Sequence, residues 1–148
     1  MSSPKLARLV PQPEGTQPEE MMHISSFAFV KKGGQILLVR RVSPERWKGK
    51  WCIPGAVINY GEDPAMAALR VVKDQTGSTA NSVKLLDVQS YGTKHWDLCF
   101  VYEVGTTGLG KLGQDFDKAE YFDPAKTPPE LREDHKEVID AARTRRVV

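Results

Sequence analysis

"GAVINYGEDPAMAALRVVKDQTGS", residues 55–78, is the stretch on which the fold turns. It reads as a loop, a capped helix and a glycine stop. Glu62-Asp63-Pro64 supplies an N-cap at Asp63 followed by proline at the first helical position, where the missing N–H costs nothing. Gly77 supplies the stop, because glycine enters the left-handed conformation that ends helices without a Cβ penalty. Between them Ala65, Ala68, Leu69 and Val72 recur at helical spacing and form one apolar stripe. At about 100° per residue, positions 71, 74 and 75 fall on one arc roughly 100° wide, to the side of that stripe. The expectation is that Val71, Asp74 and Gln75 share a flank. Val71 then stands away from the centre of the core, where a ligand would sit.

Working outward, "HISSFAFVKKGGQILLVRRV" (23–42) has two apolar runs around Lys31-Lys32-Gly33-Gly34, the pattern of a β-hairpin with a glycine turn. "WKGKWCIPGAVINYGEDP" (47–64) is broken by glycine and proline and reads as mostly loop with one short strand. "VKLLDVQSYG" and "HWDLCFVYEVG" read as two strands with a turn near Gly92. "TTGLGKLGQDFDK" reads as a loop, "AEYF" as a short strand, and "TPPELREDHKEVIDAARTRR" as a capped terminal helix. Strands, helix, strands, helix in this length imply one α/β sandwich over residues 21–148. Residues 1–20, with "PQPEGTQPEE", are poor in core formers and are expected to form a flexible arm.

Composition narrows the function classes. At 148 residues, 40% hydrophobic and 27% charged, the chain has the balance of one soluble domain. No apolar run approaches the roughly 18–20 residues of a membrane helix, and the start lacks a signal-peptide pattern. Cys52 and Cys99 form no CxxC, and His23, His95 and His135 show no zinc-finger spacing. A cytoplasmic protein with free thiols is expected. A net charge of +2 argues against a dedicated nucleic-acid binder. Between Lys31 and Lys50, however, stand seven basic residues against one acid, Glu45: either a solvated face or an attractor of phosphates.

The spacing of residues 55–78 resembles the Nudix box: glycine, five residues, glutamate, seven residues, then Arg-Glu-aliphatic-x-Glu-Glu-x-Gly-aliphatic. Glu62, Arg70, Val72 and Gly77 match it. "WCIPG" (51–55) matches the run that leads into the box, and the C-terminal "EYFDPAKTPPEL…HKEVI" resembles the family's ending. The resemblance implies an α/β/α sandwich with a mixed β-sheet. It also implies hydrolysis of nucleoside diphosphate derivatives with Mg2+ or Mn2+, and dimers are common among relatives. Glu62, Arg70 and Gly77 would shape the loop–helix–loop. The carbonyl of Gly55, with Asp74 and Gln75, would hold the metal.

The departures bear on the chemistry. Val71 stands at the first paired glutamate, Asp74 and Gln75 at the last two, Ala56 at the first glycine and Ser78 at the closing aliphatic. Magnesium binds carboxylate oxygen and lowers the pKa of an attacking water. Val71 can neither coordinate nor accept a proton, and Gln75 offers only a neutral amide oxygen. Weak or absent metal binding and slow or absent turnover are expected, with Asp74, Gln75 and Glu120 as candidate catalytic residues. In the stretch "GQDFDKAE", Asp115, Asp117 and Glu120 are candidate substitutes for the missing base. Arg40, Arg41, Arg46 and Lys48 are candidate phosphate contacts, although alternation keeps Arg40 and Arg41 from facing one pocket together. Trp47, Tyr60, Tyr91 and Trp96 are candidate stacking platforms for a base. Two functions follow: a hydrolase with a degraded box, or a Nudix-fold module that binds a nucleotide or a protein and cleaves nothing.

Overall fold

The structure, a computed structural model, describes residues 22–92 and 95–148. The expected arm, residues 1–20, lies outside the described residues. The strands are β1 (Met22–Lys32), β2 (Gln35–Arg41), β3 (Trp51–Cys52), β4 (Gly55–Val57), β5 (Ala80–Gly92), β6 (Trp96–Thr106) and β7 (Phe116–Phe122). The helices are α1 (Pro64–Thr76) and α2 (Glu133–Thr144). The strands form a seven-stranded sheet in the order β3-β2-β1-β6-β5, with β4 also on β1 and β7 also on β2. β1 and β6 are parallel and every other pair is antiparallel, so the sheet is mixed.

The run "FAFV" in β1 explains the layering. Ala28 and Val30 pack with Ala68 and Val72 of α1, while Phe27 and Phe29 pack with Val138, Ile139 and Ala142 of α2. A strand covered on both faces is apolar without alternation. The result is an α/β/α sandwich. Among the described residues, no helix is long and apolar enough to cross a membrane.

Besides α2, which begins at Glu133 and has no side-chain hydrogen bond at its N-cap Arg132, where a capped helix was expected, three elements differ from the sequence reading. Two short strands, β3 and β4, replace the single one expected, because Pro54 interrupts them while its carbonyl accepts from Ala28 N at 2.9 Å. β7 begins at Phe116 rather than Ala119, since Phe116 and Lys118 already pair with Arg41 and Arg40. The charged pair Asp117-Lys118 hid the start of the strand.

The third difference concerns α1. Its cap is the one read from the sequence: Asp63 Oδ1 accepts from Ala65 N at 2.8 Å, and Gly77 takes φ of 69°. The buried positions, however, are Ala67, Ala68, Val71, Val72 and Thr76, whereas Ala65 and Leu69 are half-buried. The buried arc is thus rotated by roughly 60° toward the flank of residue 71. Val71 is 1% exposed, as deep as Val72, so the flank where a ligand was expected to sit is covered, while Val71 itself lies off the three apolar clusters. The cause is a second covering layer, because β4 packs along this flank and the loop after β6 closes over the last turn of α1.

Candidate functional site

Two networks hold the loop–helix–loop. The first shapes it. Glu62 receives both arms of the Arg70 guanidinium, Nε at 2.8 Å and Nη2 at 3.0 Å, and its Oε1 also accepts from Asn59 N at 3.0 Å. Arg70 Nη2 reaches the Val57 carbonyl at 3.3 Å. This fork holds the Glu62 carboxyl below its usual range, first through the Arg70 hydrogen bond and then through Asn59, and the same bond raises Arg70. Ser26 Oγ, fully buried, donates to the Pro64 carbonyl at 2.8 Å and pins the first turn to β1.

The second network occupies the flank where the box places its metal-binding side chains. Gln75 Nε2 donates to the Gly55 carbonyl at 3.0 Å. With no cation between them, the opposite amide orientation would set oxygen against oxygen, which makes Nε2 the donor. Gly55 is irreplaceable here, since a Cβ would lie 2.4 Å from the Phe27 ring. Val71 fills the buried space one turn before Gln75, and Asp74 stands exposed beside them. Behind the helix, Gly110 N and Gly113 N donate to the Thr76 and Gln75 carbonyls at 3.0 Å each, satisfying two carbonyls the helix end leaves free. A Cβ on Gly77 would meet the Lys111 carbonyl at 2.2 Å, so this closure needs glycine as well as the positive φ.

These side chains do not fit a pair of divalent ions. One carboxylate, Asp74, is present. The Gly55 oxygen already accepts a hydrogen bond, and residue 71 is a buried valine with no ligand atom to offer. An amide N–H on a carbonyl does for that oxygen, without charge, what a cation would do with it.

None of the proposed substitute bases stands free beside this flank. Asp115 accepts the Ser43 hydroxyl, and Asp117 is held bidentately by Arg40 at 3.0 and 2.6 Å. Glu120 is directly opposite Leu38 in the β2–β7 pairing and therefore shares its face, the one that packs on α2. Ala119 and Tyr121 face α1 instead. Period two thus puts Glu120 across the sheet from Asp74 and Gln75, and its grouping with them is corrected.

The basic candidates diverge as well. Arg40 is occupied by Asp117. Arg41 donates to the Ser43 carbonyl at 3.0 Å and lies over the Phe116 ring, yet its buried Nε has no acceptor. Arg46 and Lys48 are exposed and make no ion pair among the described residues. Val42 N donates to the Asp115 carbonyl at 2.8 Å, two residues from the Gly113 anchor on Gln75, so the basic loop and the end of α1 meet. Of the aromatics, Tyr60 is fully exposed and Trp96 is half-exposed, with its indole N–H on Ser90 Oγ. Trp47 is covered by Arg132, 3.8 Å from its ring, and the Tyr91 hydroxyl is spent on Gln89 and the Glu137 carbonyl.

One positioning residue escaped the sequence reading. His135, buried in α2, accepts from Ile53 N at Nδ1 (3.0 Å) and holds the approach to Gly55. Burial first, with Arg132 adding to it, pushes its pKa down to about 3. Its place in "HKEVI" marked the family-like ending, but nothing in that stretch pointed to Ile53 N.

The sequence profile of the NUDIX domain matches residues 21–142. The chain belongs to the NUDIX family. An ADP-ribose pyrophosphatase of Methanocaldococcus jannaschii is 30% identical over 115 residues, which is 74% of this chain and 66% of that enzyme. The MutT protein of Methanosarcina mazei Go1 superposes with a TM-score of 0.71 at 19% identity, covering 88% of this chain and 99% of that one. The NUDIX domain of Shewanella oneidensis NrtR, solved with ADP-ribose, superposes at 0.64 with 18% identity over 98% and 99%. NUDIX members of this kind share the sandwich. The flank of α1 is where this one departs from the box.

Proposed function

We propose that this NUDIX domain binds nucleoside diphosphate derivatives of the ADP-ribose class and that its metal-dependent hydrolysis is lost or vestigial. The observation that carries the reading is the Gln75 amide on the Gly55 carbonyl, which uses the oxygen a divalent ion would need. The substrate class rests on the relative named as an ADP-ribose pyrophosphatase. Arg41, with an unpartnered Nε–H, and the exposed Arg46 and Lys48 are the cations left to meet a diphosphate. The free, buried thiols Cys52 and Cys99 suit a cytoplasmic setting. Asp74 sustains the competing reading, a slow hydrolase working with one carboxylate.

Calorimetry with ADP-ribose in EDTA and in Mg2+, followed by chromatography of the mixtures, separates the two. Binding of equal strength in both buffers with no AMP released is expected. Binding that requires Mg2+, with steady AMP production, would refute the proposal.

A further inference from the structure

His23, His95 and Asp97 bring three potential ligand atoms within 4.8 Å of one another. The sequence separates the two histidines by most of the domain. The sheet reunites them: β1 and β6 run parallel with His23 beside Asp97, and His95 lies on the turn that leads into β6. Asp97 turns one oxygen to each ring, Oδ2 to His95 Nε2 at 3.0 Å and Oδ1 to His23 Nδ1 at 3.7 Å. The imidazole centroids are 4.4 Å apart. A single His–Asp pair would need one ring; here two converge on one carboxylate.

We propose that His23, His95 and Asp97 bind one transition-metal ion of the Zn2+, Ni2+ or Cu2+ class. Two imidazoles and a carboxylate suit such borderline ions, whereas Mg2+ and Ca2+ select oxygen. Tetrahedral zinc with these bond lengths spaces its donors about 3.3 Å apart, so closing the cluster takes at most about 1.5 Å of side-chain movement. The side chains are 48%, 35% and 34% exposed and free to make it. Three protein ligands leave a coordination position open to water or a small ligand, unlike a closed structural site. The site is separate from the Gly55–Gln75 flank, although Ile58 N of the same stretch donates to the carbonyl of Ile24, next to His23, at 2.9 Å. His23 lies four residues along β1 from Phe27, the partner of Gly55, or about 13 Å along the strand.

The test is calorimetry of the whole, EDTA-stripped chain with ZnCl2 and NiCl2, and with MgCl2 for contrast. One Zn2+ per chain is expected, with H23A, H95A and D97N each weakening binding at least about tenfold. Thermal midpoints of the metal-free variants establish that each is folded. NMR of the native protein gives a second readout that needs no variant: the His23 and His95 ring signals shift with Zn2+, and those of His135, buried on Ile53 N, stay. No binding at millimolar Zn2+, affinity indifferent to both histidine variants, or loss on C99S alone would each overturn the site. Mg2+ binding that H23A and H95A abolish would overturn the metal class.

Discussion

Substituting Val71→Glu restores the side chain the box carries at this position, and the structure makes it a costly change in isolation. Val71 is 1% exposed. Closed into that space, a glutamate avoids ionising and its pKa rises toward about 8–9 from about 4.3 in the unfolded chain. Holding it protonated at pH 7 costs about 4 kcal/mol, at 1.36 kcal/mol per unit between 4.3 and 7. The sign follows from the raised folded-state pKa. The penalty is absent below about pH 4, where both states are protonated, and it grows with pH until the folded group ionises. Thermal or urea unfolding across pH 5 to 8 measures it. The midpoint at pH 7 is expected to fall by about 10–20 °C, with a clearly smaller loss at pH 5. Adding Gln75→Glu frees the Gly55 carbonyl and gives an ion two more carboxylates, so in the double variant Mg2+ is expected to raise the midpoint and start ADP-ribose cleavage. A V71E protein as stable as the parent at pH 8, or destabilised equally at both pH values, would refute the closed flank and the reasoning built on it.

Four further outcomes are expected. Gln75→Glu alone sets a carboxylate against the Gly55 carbonyl, so its thermal midpoint falls in EDTA and recovers in Mg2+, while the parent's midpoint ignores Mg2+. His135 stays neutral in the folded state down to about pH 3 but titrates near 6.5 when unfolded. The unfolded chain therefore takes up the extra proton, and urea-derived stability falls by about 1.4 kcal/mol per unit as pH drops below about 6.5, a slope His135→Asn removes. Gly77→Ala forces a Cβ onto the Lys111 carbonyl at φ of 69° and costs at least about 1–3 kcal/mol in equilibrium unfolding. Arg70→Lys keeps the charge but loses the fork on Glu62, so hydrogen exchange of residues 57–62 speeds up while that of β1 does not.

The fold was largely legible because its signals are local. The hairpin glycines, the Asp63-Pro64 cap and the Gly77 stop each demand a backbone geometry wherever they occur. What escaped depends on partners distant in sequence. The apolar stripe located α1 but not its rotation, which β4 and the loop after β6 impose from outside the helix. Glu120 stood in a short strand whose face was unassigned until its pairing with Leu38. The chain shows His23 and His95 as scattered, and only the parallel register of β1 and β6 joins them. Strand parity and register are tertiary facts, and a motif read along one helix has no access to them.

On the proposed reading, the box holds its shape without its metal chemistry because the two are carried by different contacts on α1. The Glu62–Arg70 fork closes the loop before the helix through bonds that need no ion, and Asp63 and Gly77 fix the ends. On the other flank, a set of carboxylates around Gly55 would repel one another unless a cation sat among them. Replacing two of them by a buried valine and an amide donor removes that repulsion and satisfies the Gly55 oxygen internally. The substitutions at 71 and 75 are therefore expected to be coupled: valine alone leaves the Gly55 carbonyl facing a carboxylate, and glutamine alone leaves a glutamate at a buried position. A double-mutant cycle across Val71→Glu and Gln75→Glu, run with and without Mg2+, measures that coupling directly. In Mg2+ the pair is expected to be less destabilising than the sum of the singles by at least about 1 kcal/mol, whereas without the ion the two carboxylates add or worsen. Additivity in both buffers would mean that the two positions changed independently.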